Sequence, residues 1–347
     1  MSLRLLLEAA ATPLPELTVL EALLTRLRDD ARVRVLAEVE DGASRYPIHG
    51  IVLGPDEPGL PTLGVVGGVH GLERVGTHVV LSYLTTLVQL LQWDTLLRSS
   101  LERTRIVLVP LVNPGGMARR RRSNPDGVDL MRNAPTRSGG RGSFGVGGQR
   151  LSSLLPWYMG APGDPMAIEA QALCDFMRDE VFPGRPSIVL DVHSGFGMAD
   201  RLWFPYAHTR RPFPRLAEVY GLGCLLDRTL PNHVYRLEPQ AKTYTIAGDL
   251  WDYMLREHEQ AHPDDVLIPL TLEMGSWRWV RKNPRQLVDA LGVFNPMQPH
   301  RLRRILRRHL LLLDFLHRAS AASEAWCPRD DEERERRFDA AFAHWYG

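Results

Sequence analysis

Apolar positions along the chain alternate between two periods. Leu17, Leu20, Leu23, Leu24 and Leu27 recur at helical spacing within 13–34, and VRVLAEVE (33–40) then switches to the every-other-residue pattern of a half-buried strand. A second strand is expected at 47–53. PTLGVVGGVHG (61–71) reads as a buried strand ending in glycines, after which 75–91 returns to a period of 3.6. RIVLVPLVNP (105–114), SIVLDVHSG (187–195) and VLIPLTLEMG (266–275) are short apolar runs bounded by Gly or Pro, the pattern of strands buried on both faces. Residues 167–177 and 248–258 look helical, and 202–207 and 233–238 look extended. This order predicts an α/β chain, a three-layer α/β/α arrangement whose mixed, mostly parallel central sheet has helices on both faces. A closing helix carries Leu302, Ile305, Leu306, Leu310, Leu313 and Leu316 on one stripe and five arginines between 301 and 308 on the other, expected to be solvated. RDDEERERR (329–337) is expected as an exposed helix or a frayed tail.

Composition narrows the function classes. With 44% hydrophobic and 24% charged residues the chain is globular rather than disordered. Its 42 Lys and Arg against 41 Asp and Glu leave a net charge of +1, which argues against nucleic-acid and membrane-surface partners. Cys174, Cys224 and Cys327 are odd in number and scattered, so a reducing, cytoplasmic setting is expected. Glu8 interrupts the opening MSLRLLLEAA too early for a signal-peptide core, and no run nears the ~18 apolar residues of a membrane span. GGRGSFGVGG (139–148) lacks the Lys-Ser/Thr ending of a phosphate loop and is read as a surface loop placed to act as a lid.

The chemistry gathers at strand ends. His70 and Glu73 in VHGLE, His193 in LDVHSG and Glu273 in LTLEMG all fall where an open α/β sheet has its ligand crevice. Two imidazoles and a carboxylate form a catalytic zinc set, with the fourth tetrahedral position open. Cysteine, which would close a structural site, is absent from these motifs. Glu273 is then left to act on water. His78, His208 and His233 have no motif around them and are read as ordinary histidines.

With these motifs in their order, the sequence resembles the zinc carboxypeptidase family, the carboxypeptidase A-like metallopeptidases. The blocks are GGVHGLE, NPGGMARRRRS, NPDGVDLMRN, YMGAPGDPMAIEAQAL, LDVHSG, YTIAGDLWDY and TLEMG, spread between residues 65 and 276. The resemblance implies one zinc ion on His70, Glu73 and His193, with Glu273 as general base and then proton donor to the leaving amine. It implies that Asp129 holds a ligand histidine and that Arg119 stabilises the oxyanion, with Arg122 as the alternative register. Arg132 would grip the substrate's terminal carboxylate, Tyr244 would close over substrate, and Trp251 would line and shrink the side-chain pocket. Residues 61–320 would form one catalytic domain, with 1–60 packed on it as a helix and strands and 321–347 as a charged tail or helix. Two positions depart from the family: Met131 stands where it has asparagine, and Gly195 where its pancreatic-type members have tyrosine.

The expected activity is hydrolysis of an amide, removing a C-terminal residue from a peptide or peptide-like substrate that carries a free carboxylate. A zinc amidoacylase of the aspartoacylase and succinylglutamate desuccinylase branch, which splits N-acyl amino acids, is the rival that Met131 keeps open. A third reading is an inactive metal-binding interaction module, or a nucleic-acid contact through the arginine runs. Intact ligands beside Glu273 argue against inactivity, and the arginine runs lack the interleaved aromatics of a nucleic-acid platform.

Overall fold

The computed structural model describes residues 12–135, 142–143 and 145–347. MSLRLLLEAA lies outside the described residues, as do 139–141 and 144 of the glycine-rich segment read as a lid. The described residues begin with helix α1 (Pro15–Arg26), hairpin strands β1 (Ala31–Asp41) and β2 (Ser44–Leu53), and buried β3 (Thr62–Gly67). Helix α2 (Arg74–Leu90) follows, then the short α3 (Thr95–Leu101), capped by Asp94, whose Oδ1 accepts the Leu96 N–H at 2.9 Å. Next come β4 (Arg105–Val109), α4 (Pro114–Ala118), α5 (Ile168–Glu180), β5 (Ser187–Ser194), β6 (Arg201–Phe204), α6 (Leu216–Thr229) and β7 (Arg236–Pro239). The chain finishes with α7 (Leu250–Ala261), β8 (Leu267–Met274), α8 (Trp277–Lys282), α9 (Pro299–Ala321) and α10 (Asp331–Trp345).

One eight-stranded sheet, ordered β1-β2-β4-β3-β5-β8-β6-β7, crosses the molecule. Its centre, β4-β3-β5-β8, is wholly parallel. The β1/β2 hairpin adds antiparallel to β4 at one side, and β6 adds antiparallel to β8 at the other. The central strands are buried along their whole length, because α1, α2 and α9 cover one face and α5 and α7 the other. This is the three-layer α/β/α arrangement that the alternating periods predict.

Two strands stop earlier than their apolar runs because proline lacks the N–H that a ladder needs. β4 ends before Pro110 and β6 before Pro205. The segment expected as an exposed helix or frayed tail is α10, docked on α6. Its Ala341 and Trp345 are buried, Arg334 pairs with the buried Glu218 of α6, and the Trp345 ring packs 4.7 Å from that of Phe204. The strands of 1–60 belong to the same sheet as those of 61–320. No helix among the described residues is long and apolar enough to cross a membrane.

The parallel centre fixes the site's position. All four central strands point their C-terminal ends the same way, and β5 pairs with β8 so that His193 lies opposite Glu273 and Asp191 opposite Thr271. Side chains alternate across a strand, so these four residues share one face.

Candidate active site and metal centre

After β3 the chain turns at Gly68, whose φ of +70° favours glycine, and the loop delivers His70 and then Glu73 at the start of α2. Helix α2 lies very close to β5. A Cβ on Gly76 would sit 2.3 Å from the Val192 carbonyl oxygen, so only glycine permits this approach. The approach brings Glu73 Oε2 to 2.9 Å from the Ser194 N–H and 3.1 Å from His193 Nδ1. Gly76→Ala is therefore expected to push α2 off β5, costing ~1–3 kcal/mol in urea unfolding. It should also weaken metal binding, whereas a purely local packing role would leave metal affinity unchanged.

Three donors converge. His70 Nδ1 is 2.9 Å from Glu73 Oε1 and 3.2 Å from His193 Nδ1, and one ligand atom from each residue falls within 4.8 Å of the others. The far sides of both rings face carboxylates: His70 Nε2 is 3.1 Å from Asp129 Oδ1, and His193 Nε2 is 2.8 Å from Asp191 Oδ2. With a carboxylate beside each Nε2, Nδ1 is the ring atom left to ligate, and the two Nδ1 atoms face each other. A cation that displaces the His193 proton would be held by both Nδ1 atoms and Glu73. Two neutral imidazoles, one carboxylate and no thiolate suit zinc. The residues present thus fit the metal that the sequence implied.

Electrostatics support the same arrangement. Burial works against the Glu73 carboxylate, but His70 and His193 outweigh it and hold its pKa far below the usual range. Burial would likewise lower His193, yet Asp191 and Glu73 raise it well above an ordinary histidine. Asp129 gathers three partners: His70, Arg122 Nε at 2.9 Å and Arg132 Nη1 at 2.9 Å. Burial opposes its charge, but both guanidinium groups and His70 keep it well below the usual carboxylate range. For Glu273, burial and then the nearby Glu73 charge push the carboxyl up to about 8.

The arginine block separates into different roles. Arg122 Nη1 donates to Glu73 Oε1 at 3.2 Å, so Arg122 is the arginine at the donor set. Arg119 is not there. It caps α4 on the outer surface, where Nε donates to Asp41 Oδ2 at 2.9 Å and Nη1 to the Pro125 carbonyl at 3.1 Å. The cause is local: Arg120 takes a left-handed φ of +55°, and the chain doubles back before Arg122. Arg132 is 2% exposed, and its Nε and Nη2 hold the Val146 carbonyl.

A polar cavity joins these groups. Its walls include Arg122, Met131, Arg132, Trp203, Tyr244 and Thr271, with Glu273 beside the donors. Tyr244 packs against Phe196 and Trp203, and burial raises its hydroxyl to about 12, so it remains a neutral donor. Trp251 does not border the cavity, contrary to the specificity role expected for it. Its indole is buried in α7, and Nε1 donates to Asp191 Oδ2 at 2.8 Å, supporting the carboxylate that faces His193. Trp251→Phe is expected to weaken zinc affinity by up to ~10-fold in a competition with a coloured chelator. Unchanged affinity with a broadened substrate range would restore the pocket role.

Sequence reasoning missed Asp191, Trp203 and Thr271. Asp191 was findable: it stands two residues before His193 on one strand and so shares its face. His78, His208 and His233 each pair with a carboxylate away from the cavity.

The chain also compares with known proteins. The family model described as zinc carboxypeptidase matches residues 33–276. Carboxypeptidase SOL1 of Arabidopsis thaliana is 28% identical over 109 residues, a match covering 30% of this chain and 22% of that protein. Among solved structures, thrombin activatable fibrinolysis inhibitor is similar over 91% of this chain and 75% of its own, with a TM-score of 0.67 at 15% identity. Carboxypeptidase A from Helicoverpa armigera is similar over 87% of this chain and 71% of its own, with a TM-score of 0.64 at 17% identity. At such identities these two structures speak to the fold. The family model spans all eight strands, from within β1 to just past β8, with all three donors, and on that match this chain belongs to the zinc carboxypeptidase family.

Proposed function

We propose that this protein is a zinc-dependent carboxypeptidase that removes the C-terminal residue from a peptide or peptide-like substrate carrying a free carboxylate. The observation that carries the reading is the buried His70, Glu73 and His193 set, with Glu273 opposite His193 on the neighbouring strand. A zinc ion held by His70 Nδ1, Glu73 and His193 Nδ1 would supply Lewis acidity toward water and the scissile carbonyl. Glu273 takes the proton from the attacking water and returns it to the leaving amine. Burial favours the protonated form of Glu273, which suits it to holding that proton in between. Arg122 places guanidinium donors beside the donor set, where negative charge develops on the carbonyl oxygen. Arg132 binds the terminal carboxylate. Of its five N–H groups, the bonds to Asp129 and Val146 engage one on each nitrogen, leaving two to form a fork. Tyr244 adds a neutral hydroxyl from the facing wall.

Met131 supports a second reading. It lines the cavity beside Arg132 and offers no hydrogen-bond donor, so carboxylate recognition rests more heavily on Arg132. An amidoacylase acting on N-acyl amino acids shares the same hydrolytic centre. Turnover of N-blocked dipeptides compared with N-acyl amino acids, with Glu273→Gln as control, separates the two: dipeptide cleavage lost in the variant supports the peptidase, and cleavage of acyl amino acids alone refutes it. Zinc addition to the metal-free protein is expected to release protons, because His193 and Glu273 both hold theirs above ordinary pKa values. Calorimetry in buffers of different ionisation enthalpy measures that release.

A further inference from the structure

Just beyond the C-terminal end of β8, helices α8 and α9 meet over a recess of about 120 Å³. Arg278 and Lys282 line it from α8, and Arg301, Arg304 and Arg308 from α9. The spacings, four apart on α8 and three and four apart on α9, place each set on one helix face. Asp200 is the single carboxylate in the wall among the described residues, and both its oxygens are engaged, Oδ1 by the Gly275 N–H at 3.0 Å and Oδ2 by Arg308 at 2.6 Å. Among the described residues, Arg278, Lys282, Arg301 and Arg304 have no carboxylate within 4.0 Å. Two of them are held in place by neutral carbonyls instead: Arg278 Nε by Met198 at 2.9 Å and Arg301 Nη1 by Trp279 at 3.0 Å.

Other arginines nearby are neutralised: farther along α9, Arg318 pairs with Asp314, and Arg329, just before α10, and Arg337, on it, both pair with Glu333. Like charges on neighbouring helical turns repel, and an anion bound between them would relieve that repulsion. A second observation points the same way. His309, 1% exposed, forms part of the recess wall, with Nδ1 2.9 Å from the Tyr235 hydroxyl and Nε2 buried without a partner among the described residues. Buried polar atoms in folded proteins nearly always have partners. We infer that the recess between α8 and α9 binds a compact anion carrying phosphoryl groups, at a site separate from the cleft that holds Glu273. Arginine forks match phosphate oxygens, and the small volume favours a phosphorylated small molecule over a polymer. This inference does not depend on the peptidase reading.

Calorimetry with fructose bisphosphate at near-physiological salt tests it. The expected result is saturable binding of one ligand per chain, weakened ~10- to 100-fold in the double variant Arg278→Gln/Arg304→Gln. Arg303→Gln, on the same helix but outside the recess, should bind as the parent does. The ring nitrogens of His309 should shift in nitrogen-15 NMR on ligand addition. No saturable binding, or equal loss in Arg303→Gln, would overturn the inference, as would a silent His309. Phosphatidylcholine vesicles containing phosphatidylinositol bisphosphate separate the two carriers of the same chemistry. A soluble ligand leaves the protein in the supernatant, whereas a headgroup ligand sediments it and yields to fructose bisphosphate. Sedimentation that fructose bisphosphate cannot reverse would overturn the assignment to this recess.

Discussion

Replacing Glu273 with glutamine should lower kcat for an N-blocked dipeptide by ~10²- to 10⁴-fold with little change in KM. Glutamine keeps the shape and hydrogen-bonding capacity of the buried side chain but cannot accept the proton. The fold should tolerate it, since glutamine is neutral like the protonated carboxyl that the metal-free site favours. Linkage gives an independent signature in the metal-free protein. Folded Glu273 holds its proton up to about pH 8, while the unfolded chain releases it near 4.5, so the folded state binds more protons between those values. This contribution to stability is present below pH 4.5 and is lost as pH rises toward 8. Thermal unfolding of metal-free parent and variant across that window should show the parent losing stability relative to Glu273→Gln. A parallel pair of curves would count against the buried, proton-holding carboxyl.

Arg122→Ala should cost ~10²- to 10³-fold in kcat/KM, the usual loss when an oxyanion donor is removed, while Arg119→Ala changes it less than ~2-fold. The contrast follows from placement: Arg122 reaches Glu73 and Asp129, and Arg119 is spent on Asp41 at the outer surface. Zinc stoichiometry should survive in Arg122→Ala, because all three donors remain and Arg132 still holds Asp129. Equal effects of the two substitutions would contradict the assignment.

Much of this was legible in the chain because the physics is local. β3, β4, β5 and β8 announce themselves as short apolar runs, since a strand covered on both faces has no polar positions to show. Polar residues at the ends of such runs, His70, Glu73, His193 and Glu273, then stand out as chemistry. The rest depended on geometry that sequence conceals. Four consecutive arginines offer no way to choose among them, and the choice is made by one left-handed turn at Arg120. Trp251 has the composition of a pocket residue, yet the packing of α7 on the sheet turns its indole N–H to Asp191. Helix α6 carries Gly221 and Gly223, which weaken its helical signal, and α10 is charged enough to pass for a solvated tail until its docking on α6 is seen.

The most direct measurement takes a short peptide with a free C-terminal carboxylate and its C-terminally amidated twin, incubates each with the zinc-loaded protein and follows products by mass spectrometry. A carboxypeptidase whose Arg132 grips the terminal carboxylate should shorten the free acid one residue at a time from its C-terminus and leave the amide intact. Internal cleavage, release from the N-terminus, or equal processing of both peptides would contradict it.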